Sequence, residues 1–217
     1  MPLKEDKNKI QSGLYIVSTP IGNLRDITLR AIDVLNQSDL ILCEDTRVTK
    51  KLISNYKINT KITPYHKFNE RKNLDKIINF LKDGQIISLV SDAGTPTVSD
   101  PGNILVKQCI KEKISIIPIP GPSAVITSMS VSGFSNCFYF HGFLSDTENL
   151  IRKEFKLFQN FNCSIVFFIS VQKLTKRFEL LQEFFADREI LICRELTKLH
   201  ESFYRGKISE LNINKFV

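Results

Sequence analysis

The chain has 217 residues, 42% of them hydrophobic and 24% charged, with 30 Lys and Arg against 23 Asp and Glu for a formal charge of +7. That length admits one large or two smaller α/β domains, and the composition excludes a disordered or fibrous chain. The basic balance favours an anionic partner such as RNA as readily as a plain solvated surface. The five cysteines are odd in number, far apart and mostly inside apolar runs, so they read as reduced core residues. No C-x₂-C pair or histidine cluster suggests a metal. The polar start MPLKEDKNKIQS lacks an apolar leader core, and no apolar run approaches a membrane span, which predicts a cytoplasmic location.

In chain order, residues 13–18 (GLYIVS) form a short apolar strand that runs into Thr19-Pro20-Ile21-Gly22-Asn23 and a helix capped by Asp26. A second buried strand, residues 39–43, is followed by Glu44-Asp45-Thr46-Arg47, with Thr46 as the cap of the next helix. A weaker strand near 61–65 precedes a helix over 70–82. The strand 86–90 leads into Ser91-Asp92-Ala93-Gly94-Thr95-Pro96, with Asp100-Pro101 as the following helix start. Residues 114–118 lead into Pro120-Gly121-Pro122-Ser123-Ala124 and a small-residue helix ending near Gly133. This alternation predicts a mostly parallel sheet covered on both faces.

After a strand near 138–140, residues 142–149 lose apolar periodicity, which makes them the expected boundary between a first domain over 13–141 and a second over 149–217. The second domain reads as helix 148–159, strand 164–169, helix 171–185, strand 189–193 and strand 201–206, a smaller mixed α/β unit. Its Phe-rich stretch belongs to a core rather than to a base-stacking surface.

Ligands of open parallel sheets bind beyond the carboxyl ends of the strands. The loops 19–23, 44–47, 91–96 and 120–124 all lie at that edge, and they hold much of the chain's Gly, Pro, Ser, Thr and acidic residues. Neither G-x-G-x-x-G nor G-x-x-x-x-G-K-[ST] occurs, so a nucleotide-derived ligand without a large polyphosphate fits better. Glu44 and Asp45 leave a buried strand as candidate general bases, and Arg47 is a candidate for positioning phosphate or acceptor. Alternatively, Asp45 and Arg47 cap and pair around the following helix. His66 follows a strand and is read either as a group acting near neutral pH or as a surface histidine. Arg194, Glu195 and Lys198 are read as RNA contacts or as a surface ion-pair cluster.

Residues 14–23 (LYIVSTPIGN), Asp26-Ile27-Thr28 and Glu44-Asp45-Thr46-Arg47 resemble the start of the tetrapyrrole methylase superfamily, in its ribosomal RNA methyltransferase branch. LVSDAGTP at 89–96, SDPG at 99–102, PIPGPSA at 118–124, Gly142-Phe143-Leu144 and RELTK at 194–198 stand in the family order. The resemblance implies a two-domain α/β methyltransferase and S-adenosylmethionine in a cleft between the domains. It further implies a homodimer and 2′-O-methylation of a cytidine in the decoding region of 16S rRNA in the small ribosomal subunit. Carried over residue by residue, it implies cofactor contacts at Pro20 and Gly22, at Asp92, Ala93, Gly94, Thr95 and Pro96, and at Ser123 and Ala124. Two other readings stay open: methylation of a tetrapyrrole or another small acceptor, and a noncatalytic RNA-binding remnant.

Three departures stand out. Where the family has a Phe-Tyr-Glu-Ser-x-His-Arg type run, this chain has Phe167-Phe168-Ile169-Ser170-Val171-Gln172-Lys173. Ser145-Asp146-Thr147-Glu148 replaces a basic, Pro-containing stretch. The resemblance also implies a Lys-Gly-Glu motif and a further strand beyond Val217, so the second domain is expected to be truncated, with an open sheet edge.

Overall fold

The computed structural model describes residues 10–213. They divide into two compact units, one ending at Ser123 and one beginning at Ala124. In the first unit β1 (Gly13–Val17), α1 (Leu29–Gln37), β2 (Leu40–Cys43), α2 (Thr46–Asn55), β3 (Ile62–Pro64), α3 (Glu70–Lys82), β4 (Ile86–Leu89), α4 (Asn103–Lys111) and β5 (Ile116–Ile119) alternate along the chain. The strands form one parallel sheet in the order β3-β2-β4-β1-β5.

Strand alternation decides which helix covers which face. Successive side chains of a strand point to opposite sides. Tyr15, Val17, Ile41, Cys43 and Ile86 therefore pack with Ala31, Val34 and Leu35 of α1 and Leu52 of α2. Leu14, Leu42, Ile87 and Leu89 pack with Ile77, Ile78 and Leu81 of α3 and with Leu105 and Cys109 of α4. β2 and β4 are buried along their whole length, as expected of central strands covered on both faces. Each fully buried Leu or Ile contributes about 1.5–3 kcal/mol relative to exposure.

The helix starts differ from the sequence expectation, each for a local reason. Asn23 rather than Asp26 opens a short 3₁₀ turn over Leu24–Asp26, and Thr28 then caps α1 by accepting the Ala31 N–H at 3.1 Å. Asp45, not Thr46, caps α2, because its carboxylate accepts the Arg47 N–H at 2.7 Å. α4 starts after Gly102 and not at Asp100-Pro101. Gly102 sits at φ +119, and its missing side chain leaves room for Leu89 and Thr97.

In the second unit α5 (Ala124–Ser130) precedes β6 (Phe138–Phe143), α6 (Glu148–Phe158), β7 (Ser164–Phe168), α7 (Val171–Phe185), β8 (Glu189–Arg194) and β9 (Ser202–Lys207). β6 and β7 pair in parallel around α6, and β8 pairs antiparallel with β9, so the unit is mixed α/β. Ile151, Phe155, Phe158, Phe178, Leu181 and Phe185 form its core. The division after Ser123 falls earlier than residues 142–149. β6 runs on through Phe143, and Gly142 and Phe143 pair with Phe167 and Phe168. A register shift between Phe140 and Gly142 breaks the alternation there, so a bulged strand mimics a linker.

The two segments of this unit that the sequence resemblance singled out, 145–148 and 167–173, meet. Lys173 Nζ pairs with Asp146 at 2.5 Å, and buried Arg177 donates to the Ser145 carbonyl at 2.6 Å. α7 thus holds the 145–148 segment by two cationic side chains.

A Gly102→Ala variant is expected to lose about 2 kcal/mol in urea unfolding, from left-handed strain plus the collision with Leu89. Gly84→Ala, at φ +84 with nothing within 4 Å, should lose only the strain, about 1 kcal/mol.

Candidate functional site

The carboxyl edge of the parallel sheet is tied together loop by loop. Thr19, just past β1, exchanges two backbone hydrogen bonds with Gly94, at 2.9 and 3.0 Å, and its hydroxyl donates to the Ser91 carbonyl at 3.0 Å. Ser18 Oγ lies 3.0 Å from Thr95 Oγ1, and Thr95 Oγ1 reaches the Pro122 carbonyl at 3.5 Å. Gly121 passes so close to Ser18 that a Cβ on it would sit 2.9 Å from the Ser18 Cβ. A fourth loop joins when Asp92 Oδ1 accepts the Asp45 N–H at 2.9 Å. Loops 19–23, 44–47, 91–96 and 120–123 therefore form one connected frame.

Beside this frame a pocket of about 420 Å³ is lined by Glu44, Asp45, Thr46, Pro64, His66, Lys67, Phe68 and Asp92. Its carboxylates differ. Hydrogen bonding to Arg47, whose Nη2 lies 2.6 Å from Oδ2, holds the Asp45 carboxyl down at about 2. Burial pushes the Glu44 carboxyl up, and the charges of Asp92, Asp100 and Asp45 push the same way while His66 opposes them. Burial likewise raises Asp100, which is also repelled by Asp92. A protein with an excess of cationic residues has thus gathered acids at one point, where a cation would relieve their repulsion. No group of three or more His, Cys, Asp or Glu among the described residues is arranged to hold a metal ion.

The turn after β3 is fixed by Asn69. Its side chain accepts the His66 N–H at 2.9 Å and donates to the Pro64 carbonyl at 3.0 Å, while the Asn69 and Glu70 N–H groups donate to the His66 carbonyl. His66 Nδ1 and the Tyr65 hydroxyl are buried without a hydrogen-bond partner among the described residues. Phe68 is 92% exposed.

The family model for tetrapyrrole (corrin/porphyrin) methylases matches residues 13–212. This chain belongs to that family. Among its relatives, the ribosomal RNA small subunit methyltransferase I of Mesomycoplasma conjunctivae is 47% identical over 195 residues, covering 89% of this chain and 82% of that one. The protein of the same name from Thermotoga maritima is 45% identical, covering 91% and 89%, and that from Bacillus subtilis is 44% identical, covering 91% and 68%. Solved structures of the same fold include the methyltransferase CobJ, with a TM-score of 0.70 at 16% identity over 94% of this chain and 89% of that one. Cobalt precorrin-4 methyltransferase CbiF has a TM-score of 0.65 at 17% identity over 93% and 87%.

In this tetrapyrrole methylase the frame gathers Asp92, Ala93, Gly94, Thr95 and Pro96 with Pro20, Gly22 and Ser123, while Ala124 opens α5 as the first residue of the second unit. Asp92 is engaged in holding Asp45, and both backbone groups of Gly94 are taken by Thr19. Glu44 and Asp45 both line the pocket, whereas Arg47 is 87% exposed and pairs with Asp45. The helix-capping and pairing alternative for Asp45 and Arg47 is thus realised in the structure. Sequence reasoning passed over Lys67 and Phe68 and left His66 open. The available signal was the position of residues 65–68, directly after a strand at the same edge.

The two neighbouring acids should oppose each other in stability. Asp45, with its lowered pKa, contributes stability above the ordinary carboxylate range, near pH 4, that is lost as pH falls toward 2. Glu44, with its raised pKa, costs stability as pH rises through its folded value. Asp45→Asn should therefore lower the thermal midpoint at about pH 7. Glu44→Gln should raise it, with the Glu44 difference closing below about pH 4.

Proposed function

We propose that the chain binds S-adenosylmethionine at this sheet edge and transfers the methyl group to the ribose 2′-hydroxyl of a cytidine in the decoding region of 16S rRNA. The observation that carries this reading is the joining of four loops into one frame beside a pocket lined by three carboxylates. The names of the relatives, small subunit rRNA methyltransferases, supply the acceptor class. The reading includes a cytoplasmic homodimer acting on the small ribosomal subunit.

The residues fit the cofactor chemically. The N–H groups of Ala93 and Thr95 donate to no protein acceptor among the described residues, which leaves backbone donors for a nucleoside at a rigid turn. Glu44, Asp45 and Asp92 complement a cation. When bound, S-adenosylmethionine supplies an electrophilic methyl group on a sulfonium. Pro20, Gly22, the 92–96 turn, Ser123 and Ala124 are the residues assigned to hold it.

The protein must bring the acceptor oxygen into line and ease loss of its proton, because an alcohol is a weak nucleophile. Of the two adjacent acids, Glu44 suits the base role, since a raised pKa brings a carboxylate nearer to working pH. Arg47 holds Asp45 below the usual carboxylate range, and the Asp45 oxygens accept from the guanidinium and from the first turn of α2. We assign Asp45 and Arg47 to shaping the site around Glu44.

Glu44→Gln should lower kcat by about 10²-fold while leaving cofactor affinity within a few fold. Asp92→Ala, which unties loop 44–47 from loop 91–96, should weaken cofactor binding by about ten-fold. Calorimetric titration with S-adenosylmethionine, followed by transfer to small subunits lacking the modification, tests the whole reading. Methyl groups mapped to a ribose 2′-oxygen support it. Transfer to a tetrapyrrole instead, or no cofactor binding by a folded chain, overturns it.

A further inference from the structure

The turn between β3 and α3 has features the cofactor frame does not use. It places a phenylalanine ring almost wholly in solvent, next to a histidine whose buried Nδ1 has no partner among the described residues. Both residues line the same pocket as Glu44. The two rings stand edge to face, with centroids 6.1 Å apart. Exposing a phenyl ring forfeits its burial energy, and leaving a buried imidazole nitrogen unpaired forfeits a hydrogen bond. The turn holds both in place, because Asn69 clamps residues 64–70 and the Gly102 N–H donates to Glu70 at 3.3 Å.

Charge indicates what would occupy this surface. Lys67 lines the pocket, and Arg71 and Lys72 follow it on the first turn of α3, all three exposed and without an ion pair among the described residues. Arg47 stands exposed one residue past Thr46. The pocket is thus lined by three acids, one lysine and a bare aromatic ring, with the exposed Arg47, Arg71 and Lys72 close in sequence to its lining residues. An unstacked nucleotide of a single strand matches it: the base covers the ring and the phosphates meet Lys67 and the neighbouring cations.

We propose that residues 66–68 form an acceptor-nucleotide subsite in which Phe68, backed edge to face by His66, stacks one RNA base and Lys67 faces its phosphate. This rests on the RNA-methyltransferase reading but is measurable without turnover. The subsite is preformed, so the nucleotide meets a surface that needs no ordering. Specificity for a base would come from the pocket edges, since stacking accepts any base.

The test is equilibrium binding of a short single-stranded RNA containing pyrrolo-cytidine, a fluorescent cytidine analogue quenched on stacking, to the full chain in low salt. Phe68→Ala is expected to weaken binding on the order of ten-fold and to abolish quenching. Phe68→Trp should restore both, and Leu199→Ala, which alters an equally exposed apolar residue, should change neither. Wild-type affinity and quenching in Phe68→Ala overturn the proposal, as does a Phe68→Ala effect confined to self-association in sedimentation. Loss of methyl transfer by the wild-type chain with this binding pattern intact would count against the enzyme reading alone.

Discussion

The paired hydrogen bonds between Thr19 and Gly94 are the constraint on which the site depends. β1 and β4 are neighbours in a parallel sheet, so their carboxyl ends emerge side by side, and parallel strands leave their loops free to diverge. The exchange at 2.9 and 3.0 Å closes these two loops on each other. Ser18, Thr95 and Pro122 extend the closure to the loop after β5, and Asp92 extends it to the loop after β2. A ligand that uses several of these turns meets them already in register, and little of its binding energy goes into ordering backbone.

The contrast between Glu44 and Asp45 shows how local structure differentiates identical chemistry. Both are carboxylates on adjacent residues at the end of a buried strand. Asp45 turns to the first peptide groups of α2 and to a guanidinium, and its charge is stabilised. Glu44 turns toward other acids in a partly buried position, and its charge is penalised. A single helix start therefore gives two adjacent carboxylates opposite shifts, one stabilised by a cap and a guanidinium and the other penalised by burial and like charge.

Much of this was legible in the sequence, where one periodicity dominates. α3 and α7 start and end where the apolar spacing places them, and β4 follows from a run of four buried residues. The four loops were recognisable as one edge because each follows a buried strand. Caps were less legible, since Asp26, Thr28, Asp45 and Thr46 are all competent caps and only backbone direction chooses among them. The strand through Gly142 was hidden because a register shift removes the alternation that marks strands. His66 and Phe68 carry their information in what they fail to touch. An unpaired nitrogen and a bare ring exist only once tertiary packing has been set.

The ion pair between Lys173 and Asp146 joins the start of α7 to the segment that precedes α6. Both side chains are exposed, and each supplies the charge the other answers. Two segments that are separate along the chain are therefore coupled through charge. A variant in which either segment is exchanged alone would leave Lys173 or Asp146 without its present partner, so the two segments have to be moved as one module.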